Sequence, residues 1–135
     1  MRSGPLLFAL SLGLMLAAPA GARSAALSPG TYVSRITAQG PALNGTWKLK
    51  LTTTFAPAGR FQMSRNGAIV VNGVSAITGN KLTLVDQSGK LACKGTQQTG
   101  IYTFKLKGKT LTLKTVFDSC AARQVVLTSR PFTKQ

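Results

Sequence analysis

Residues 117–123 read FDSCAAR and place a carboxylate (Asp118), a hydroxyl (Ser119), a thiol (Cys120) and a guanidinium (Arg123) within seven positions. Several chemistries use such groups. A serine or cysteine nucleophile generally needs a neighbouring base, and the chain has no histidine. A serine–lysine pair is formally available, but nothing singles one out. Paired carboxylates cleave glycosidic bonds, yet Asp86 and Asp118 are the only acids, so that site requires those two to meet. A metal would find two sulfurs, Cys93 and Cys120, and no imidazole, too few ligands for a tetrahedral set. An even cysteine count in an exported chain instead favours a disulfide. The expectation is a structural clasp, with no catalytic residue, metal or cofactor.

Export is read from the first residues. Arg2 precedes LLFALSLGLMLAA, an apolar run of thirteen residues closing on Ala20-Gly21-Ala22. That pattern predicts a secretory signal peptide over residues 1–22, and the run is shorter than the about 20 residues that span a bilayer. A secreted or periplasmic location follows, with one domain over 27–135. About 110 residues support a single modest core, and a Cys93–Cys120 bond would stabilise it by about 3–4 kcal/mol. Fifteen of the 17 basic residues lie beyond Arg2 and Arg23, so the domain carries 15 − 2 = +13. Such a field attracts anionic polymers or envelope surfaces; the alternative is that it serves solubility and keeps copies apart.

The elements that position these groups are strands. In TWKLKLTTT, Trp47, Leu49 and Leu51 alternate with Lys48, Lys50 and Thr52; in YTFKLK, Tyr102, Phe104 and Leu106 alternate with Thr103, Lys105 and Lys107. Period two marks half-buried strands. Eight are expected, at about 30–38, 44–54, 60–66, 68–78, 81–87, 99–107, 110–118 and 123–131. Asn66-Gly67, Gly79-Asn80 and Gly108-Lys109 supply tight turns, and Asn72-Gly73 reads as a bulge or bend inside one long strand. Residues 88–99 form the longest irregular connection, which holds Cys93. Sequential strands with short connections predict an all-β, antiparallel, up-and-down eight-stranded barrel, since closure removes exposed edges. A two-sheet sandwich is the rival.

These residues resemble a known family. GTWKLKL (45–51) is similar to the Gly-x-Trp first-strand motif of lipocalins and their calycin relatives. GVSAITGNKLTLVDQSG (73–89), CKG (93–95), TGIYTF (99–104), DSCAAR (118–123) and VLTSRPF (126–132) together resemble small secreted bacterial lipocalin-like proteins. The resemblance implies that Trp47 closes the barrel base and that Arg123, from the last strand, lies across it.

Arg123 shares a strand phase with Val125 and Leu127, which would turn it inward, where an unpaired charge is expensive. Trp47 could offer its ring face, and Asp118 could supply the counter-charge or cap the Ser119–Ala122 turn. The inward set is Trp47, Phe61, Met63, Ile69, Val71, Leu82, Leu84, Tyr102, Phe104, Leu106, Leu111, Leu113 and Phe117. Barrels of this size either fill with side chains or hold one small ligand. Capture of a small apolar or amphiphilic ligand by Trp47, Phe61, Tyr102, Phe104 and Arg123 is the leading expectation. The second is a filled core with an outward basic patch (Lys48, Lys50, Lys105, Lys107, Lys114) for an anionic surface or polysaccharide. No specific nucleic-acid partner is indicated, because no outward aromatics interleave with the lysines. Asn44-Gly45-Thr46 matches the N-glycosylation pattern.

Overall fold

Alternating side chains close into a wall. The computed structural model describes residues 27–55 and 58–135, with the side chains of residues 53–55 left aside, so the leader expected over residues 1–22 lies outside the described residues. The strands are β1 Gly30–Ile36, β2 Gly45–Phe55, β3 Ala58–Arg65, β4 Ala68–Thr78, β5 Lys81–Ser88, β6 Thr99–Lys107, β7 Thr110–Asp118 and β8 Phe132–Lys134. Each pairs antiparallel with its neighbour in sequence, and β8 returns to β1, giving a closed barrel. The sandwich alternative is thereby excluded. Asn66-Gly67, Gly79-Asn80 and Gly108-Lys109 fall between consecutive strands as the sequence indicates.

The expected inward set fills most of the barrel. Tyr32, Leu49, Leu82, Leu84, Tyr102, Leu111 and Phe132 are completely buried, and Trp47, Phe61, Met63, Val71, Phe104 and Leu113 join them. Asn72-Gly73 lies inside β4, and the β4–β5 register shifts at these two residues, but the extra residue is Gln87 on β5 and not part of β4. A side chain at Gly73 would strike the Val85 carbonyl and the Phe61 ring, so only glycine lets β5 approach there.

The eighth strand departs from expectation. Residues 123–131 do not form it; Ala121–Thr128 is a helix, α1, and the strand is the three-residue Phe132–Lys134. In eight residues, Arg123, Val125 and Leu127 satisfy period two while Arg123, Val126 and Leu127 satisfy helical spacing, and the structure buries the second set. Ala121, Ala122, Arg123 and Gln124 are good helix formers, and Pro131 stops the continuation. β8 reaches only Thr110 and Leu111 on one side and Tyr32 and Val33 on the other. Beyond that short seam α1 packs on β7.

Candidate functional site

Three bulges bring the site together. Val70, Gln87 and Val116 each lack a cross-strand partner, because the ladders step over them. A one-residue insertion reverses which face the following side chains take. At Val116 this turns Phe117 outward, 55% exposed, and Asp118 inward, paired with Gly100. At Val70 it turns Ile69 outward, also 55% exposed. Ile69 and Phe117, expected inside, are therefore outside. Asp86 needs no such reversal: it follows Leu82 and Leu84 on the inward phase of β5 and is 2% exposed.

The ends of β5 and β7 thus aim both acids of the chain at Arg123 on α1. Arg123 Nε donates to Asp118 Oδ2 at 2.7 Å and Nη2 donates to Oδ1 at 2.7 Å, a bidentate pair. Nη1 and Nη2 donate to the carbonyls of Gln98 and Gln97, each at 2.9 Å. Nη1 also stands 3.1 Å from Asp86 Oδ1. Four of its five N–H groups donate to four oxygens, and the fifth, on Nη1, is left with the ion-pair contact to Asp86 Oδ1. Asp118 additionally accepts the Tyr102 hydroxyl and, at 2.8 Å, the Cys120 N–H. Asp86 Oδ2 accepts the Cys93 N–H at 2.8 Å. Each half of the Cys93–Cys120 disulfide, the only cysteine pair in the chain, thereby delivers its amide to one of the two carboxylates. Gly100 leaves room for this cluster: a β-carbon there would lie 2.6 Å from Asp118 Oδ2 and 2.9 Å from Arg123 Nε.

Proton equilibria follow the contacts. Burial pushes the Asp118 carboxyl up, but hydrogen bonds from Arg123, Tyr102 and the Cys120 amide outweigh it and hold the group below its ordinary value. Burial, reinforced by the Asp118 carboxylate, pushes the Tyr102 phenol well above its ordinary value. Burial works against the Arg123 charge, yet bonds from Asp118 and the fields of Asp86 and Asp118 keep it protonated. The cluster holds one positive and two negative charges.

Trp47 has a different partner from the one expected. Arg65, opposite it on β3, places its guanidinium 5.7 Å from the indole centroid, a contact worth about 0.5–2 kcal/mol. Arg65 is held by the carbonyls of Pro41 and Asn44, and the indole N–H donates to the Leu43 carbonyl at 2.7 Å. Arg123 does not stack on Trp47. Trp47 lies on the second strand of eight, whereas the resemblance places its motif on the first.

Between Trp47 and α1 is a cavity of about 250 Å³. Phe61, Met63, Val71 and Leu84 form its strand side, Val126 and Leu127 its helix side, and Leu43, Leu91 and Cys93 its loop side. Ala42, Leu91 and Ala122 are exposed at its rim. Asp86 and Arg123 are the ionisable groups on this wall among the described residues. Of the residues expected to contact a ligand, Trp47, Phe61 and Arg123 line the cavity. Tyr102 and Phe104 do not: the first is bound to Asp118 and the second lies in the core. Leu43, Asp86, Leu91 and Val126 were not in the expected set. For Asp86 the signal was available, because it continues the Leu82, Leu84 alternation.

The basic residues divide into two groups. Lys105 and Lys107 stand opposite Thr112 and Thr110, with Lys114 diagonal to Lys105, and all three are exposed. Lys48 and Lys50 do not adjoin them. Lys107, Thr110, Thr133, Val33 and Lys48 form one row of cross-strand partners. Four strand spacings separate Lys107 from Lys48 by about 19 Å along the barrel wall.

No family model, curated protein or solved structure matches the chain. Among the described residues no helix is long and apolar enough to cross a membrane, and the disulfide is a bond of oxidising compartments.

Proposed function

We propose that the protein is a secreted, non-catalytic, lipocalin-like binding protein that holds a small apolar or amphiphilic molecule in the cavity beside Trp47. The observation that carries this reading is the cavity itself: about 250 Å³, walled mainly by aliphatic and aromatic side chains, with a polar cluster at one side. Small-molecule sites share that build, although most are larger, about 300–1,000 Å³. At about 30 Å³ per water-sized group, the space fits a ligand of about eight non-hydrogen atoms. The non-catalytic part of the reading is supported by Asp118, held ionised and hydrogen-bonded on both oxygens, which makes it a poor general acid. Trp47 is the sole tryptophan, so its emission reports occupancy. Titration with 1-heptanol should give a saturable change, lost in Ala122→Phe, which narrows the mouth from an exposed position. A linear response in both proteins overturns the proposal.

A second reading concerns the outside. Both carboxylates of the chain are internal, 2% and 7% exposed, so no acidic side chain offsets the outward lysines. This supports contact with an anionic surface or polysaccharide through Lys105, Lys107 and Lys114. Salt-dependent retention on heparin, reduced by Lys→Gln changes at those three positions, tests it.

A further inference from the structure

We infer that the cavity selects ligands whose polar end donates a hydrogen bond, a hydroxyl or an ammonium, and rejects carboxylates of the same length. This rests on the cavity reading above and adds the chemistry of the head group. Asp86 lines the cavity and is 98% buried, yet its Oδ1 accepts no hydrogen bond among the described residues. Its contact with Arg123 Nη1 at 3.1 Å is an ion pair without hydrogen-bond geometry. A buried carboxylate oxygen with open lone pairs is an expensive group to leave unmatched. A ligand donor would match it.

The same cluster argues against an anion. Arg123 looks like a carboxylate receptor, but four of its five N–H groups already donate to Asp118, Gln97 and Gln98, and the fifth stands in ion-pair contact with Asp86. A ligand carboxylate would have to displace one of those bonds or sit directly beside the Asp86 carboxylate. It would also enter a cluster of one cation and two anions, and like charge in a low-dielectric site is a strong basis for rejection. The outward lysines attract anions from solution, but none lines the cavity.

The test is a seven-carbon series, namely 1-heptanol, heptylamine, heptanoate and heptane, titrated at neutral pH against the folded, disulfide-bonded protein. Trp47 emission and calorimetry are the readouts. Heptanol and heptylamine should bind about 10- to 100-fold more tightly than heptanoate, the span expected of one hydrogen bond to a charged group. Asp86→Asn keeps an acceptor for the Cys93 amide and replaces the open oxygen with a donor, so it should narrow or reverse the order. Heptanoate binding as well as heptanol to the wild type overturns the head-group inference and leaves the cavity reading standing. Failure of all four ligands overturns both. Should Asp86→Asn not fold, the wild-type series decides alone.

Discussion

Arg123→Met is the most informative single change, because it keeps an apolar stem in α1 and removes the charge that two buried carboxylates share. Asp118 would retain the Tyr102 hydroxyl and the Cys120 amide, and Asp86 the Cys93 amide. Neither would have a counter-ion. Removing one partner of a buried pair costs about 3–5 kcal/mol. Over roughly 110 residues, an unfolding entropy of about 2.1 cal/mol/K per residue gives about 0.23 kcal/mol/K, so Tm should fall by about 13–22 °C at pH 7. The pH dependence should also invert. In the wild type the Asp118 pKa is depressed, so its stabilisation is present above the unfolded value of about 3.9 and is lost as pH falls through the folded value. Without Arg123, burial raises the carboxyl pKa above the unfolded value. The mutant should then gain stability as pH falls from 7 towards 5, where the wild type is flat. Replacing Asp86 and Asp118 by Asn in the same background should restore much of the loss. Calorimetry between pH 4 and 8 reads all of this. A Tm within about 4 °C of wild type, or curves that run parallel with pH, would refute the account of the cluster.

Alkaline unfolding should begin near pH 10. Tyr102 has a raised folded pKa, so its contribution is complete below the unfolded value of about 10 and is lost above it; Tyr102→Phe should delay the transition seen by circular dichroism. Gly100→Ala should cost about 1–3 kcal/mol, because its β-carbon would press the Asp118–Arg123 pair; chemical denaturation measures it, and an unchanged midpoint refutes the crowding argument. Replacing Cys93 and Cys120 together by Ser should cost about 3–4 kcal/mol for the 27-residue separation, with a Tm loss under about 4 °C counting against it. Heparin retention should weaken between about 0.15 M and 1 M salt as the screening length shrinks from about 8 to 3 Å, while heptanol affinity stays constant.

Much of the barrel was legible because its signals are local. Alternation in TWKLKL and YTFKLK, the Asn66-Gly67 and Gly79-Asn80 turns and the even cysteine count each act over a few residues, and each appears where expected. The bulges were not legible. Val70 and Val116 look like ordinary strand residues, and only the register of the neighbouring strand shows that they are skipped. One missed insertion misassigns every later phase, which is why Ile69 and Phe117 were expected inside. α1 was missed because eight residues satisfy two periods equally, and the choice fell to tertiary burial of Val126 and Leu127. Arg65 was accessible in principle: it continues the inward phase of Phe61 and Met63, but locating it opposite Trp47 required the β2–β3 register.

The bulges and the charge distribution explain each other. A chain with two acids among so many bases has little means of holding an arginine inside, since a buried guanidinium without carboxylates would be unstable. Regular alternation delivers only Asp86 to the interior; Asp118 would point outward. The extra residue at Val116 supplies the second anion, and Gly100 gives it space. Meeting at Arg123, the two acids leave an outer surface of one sign and an inner cluster of the opposite sign. Two binding tendencies then coexist in one small barrel, a long-range cationic field outside and a short-range acceptor within. Salt weakens the first and leaves the second untouched, because the buried pair lies out of reach of mobile ions.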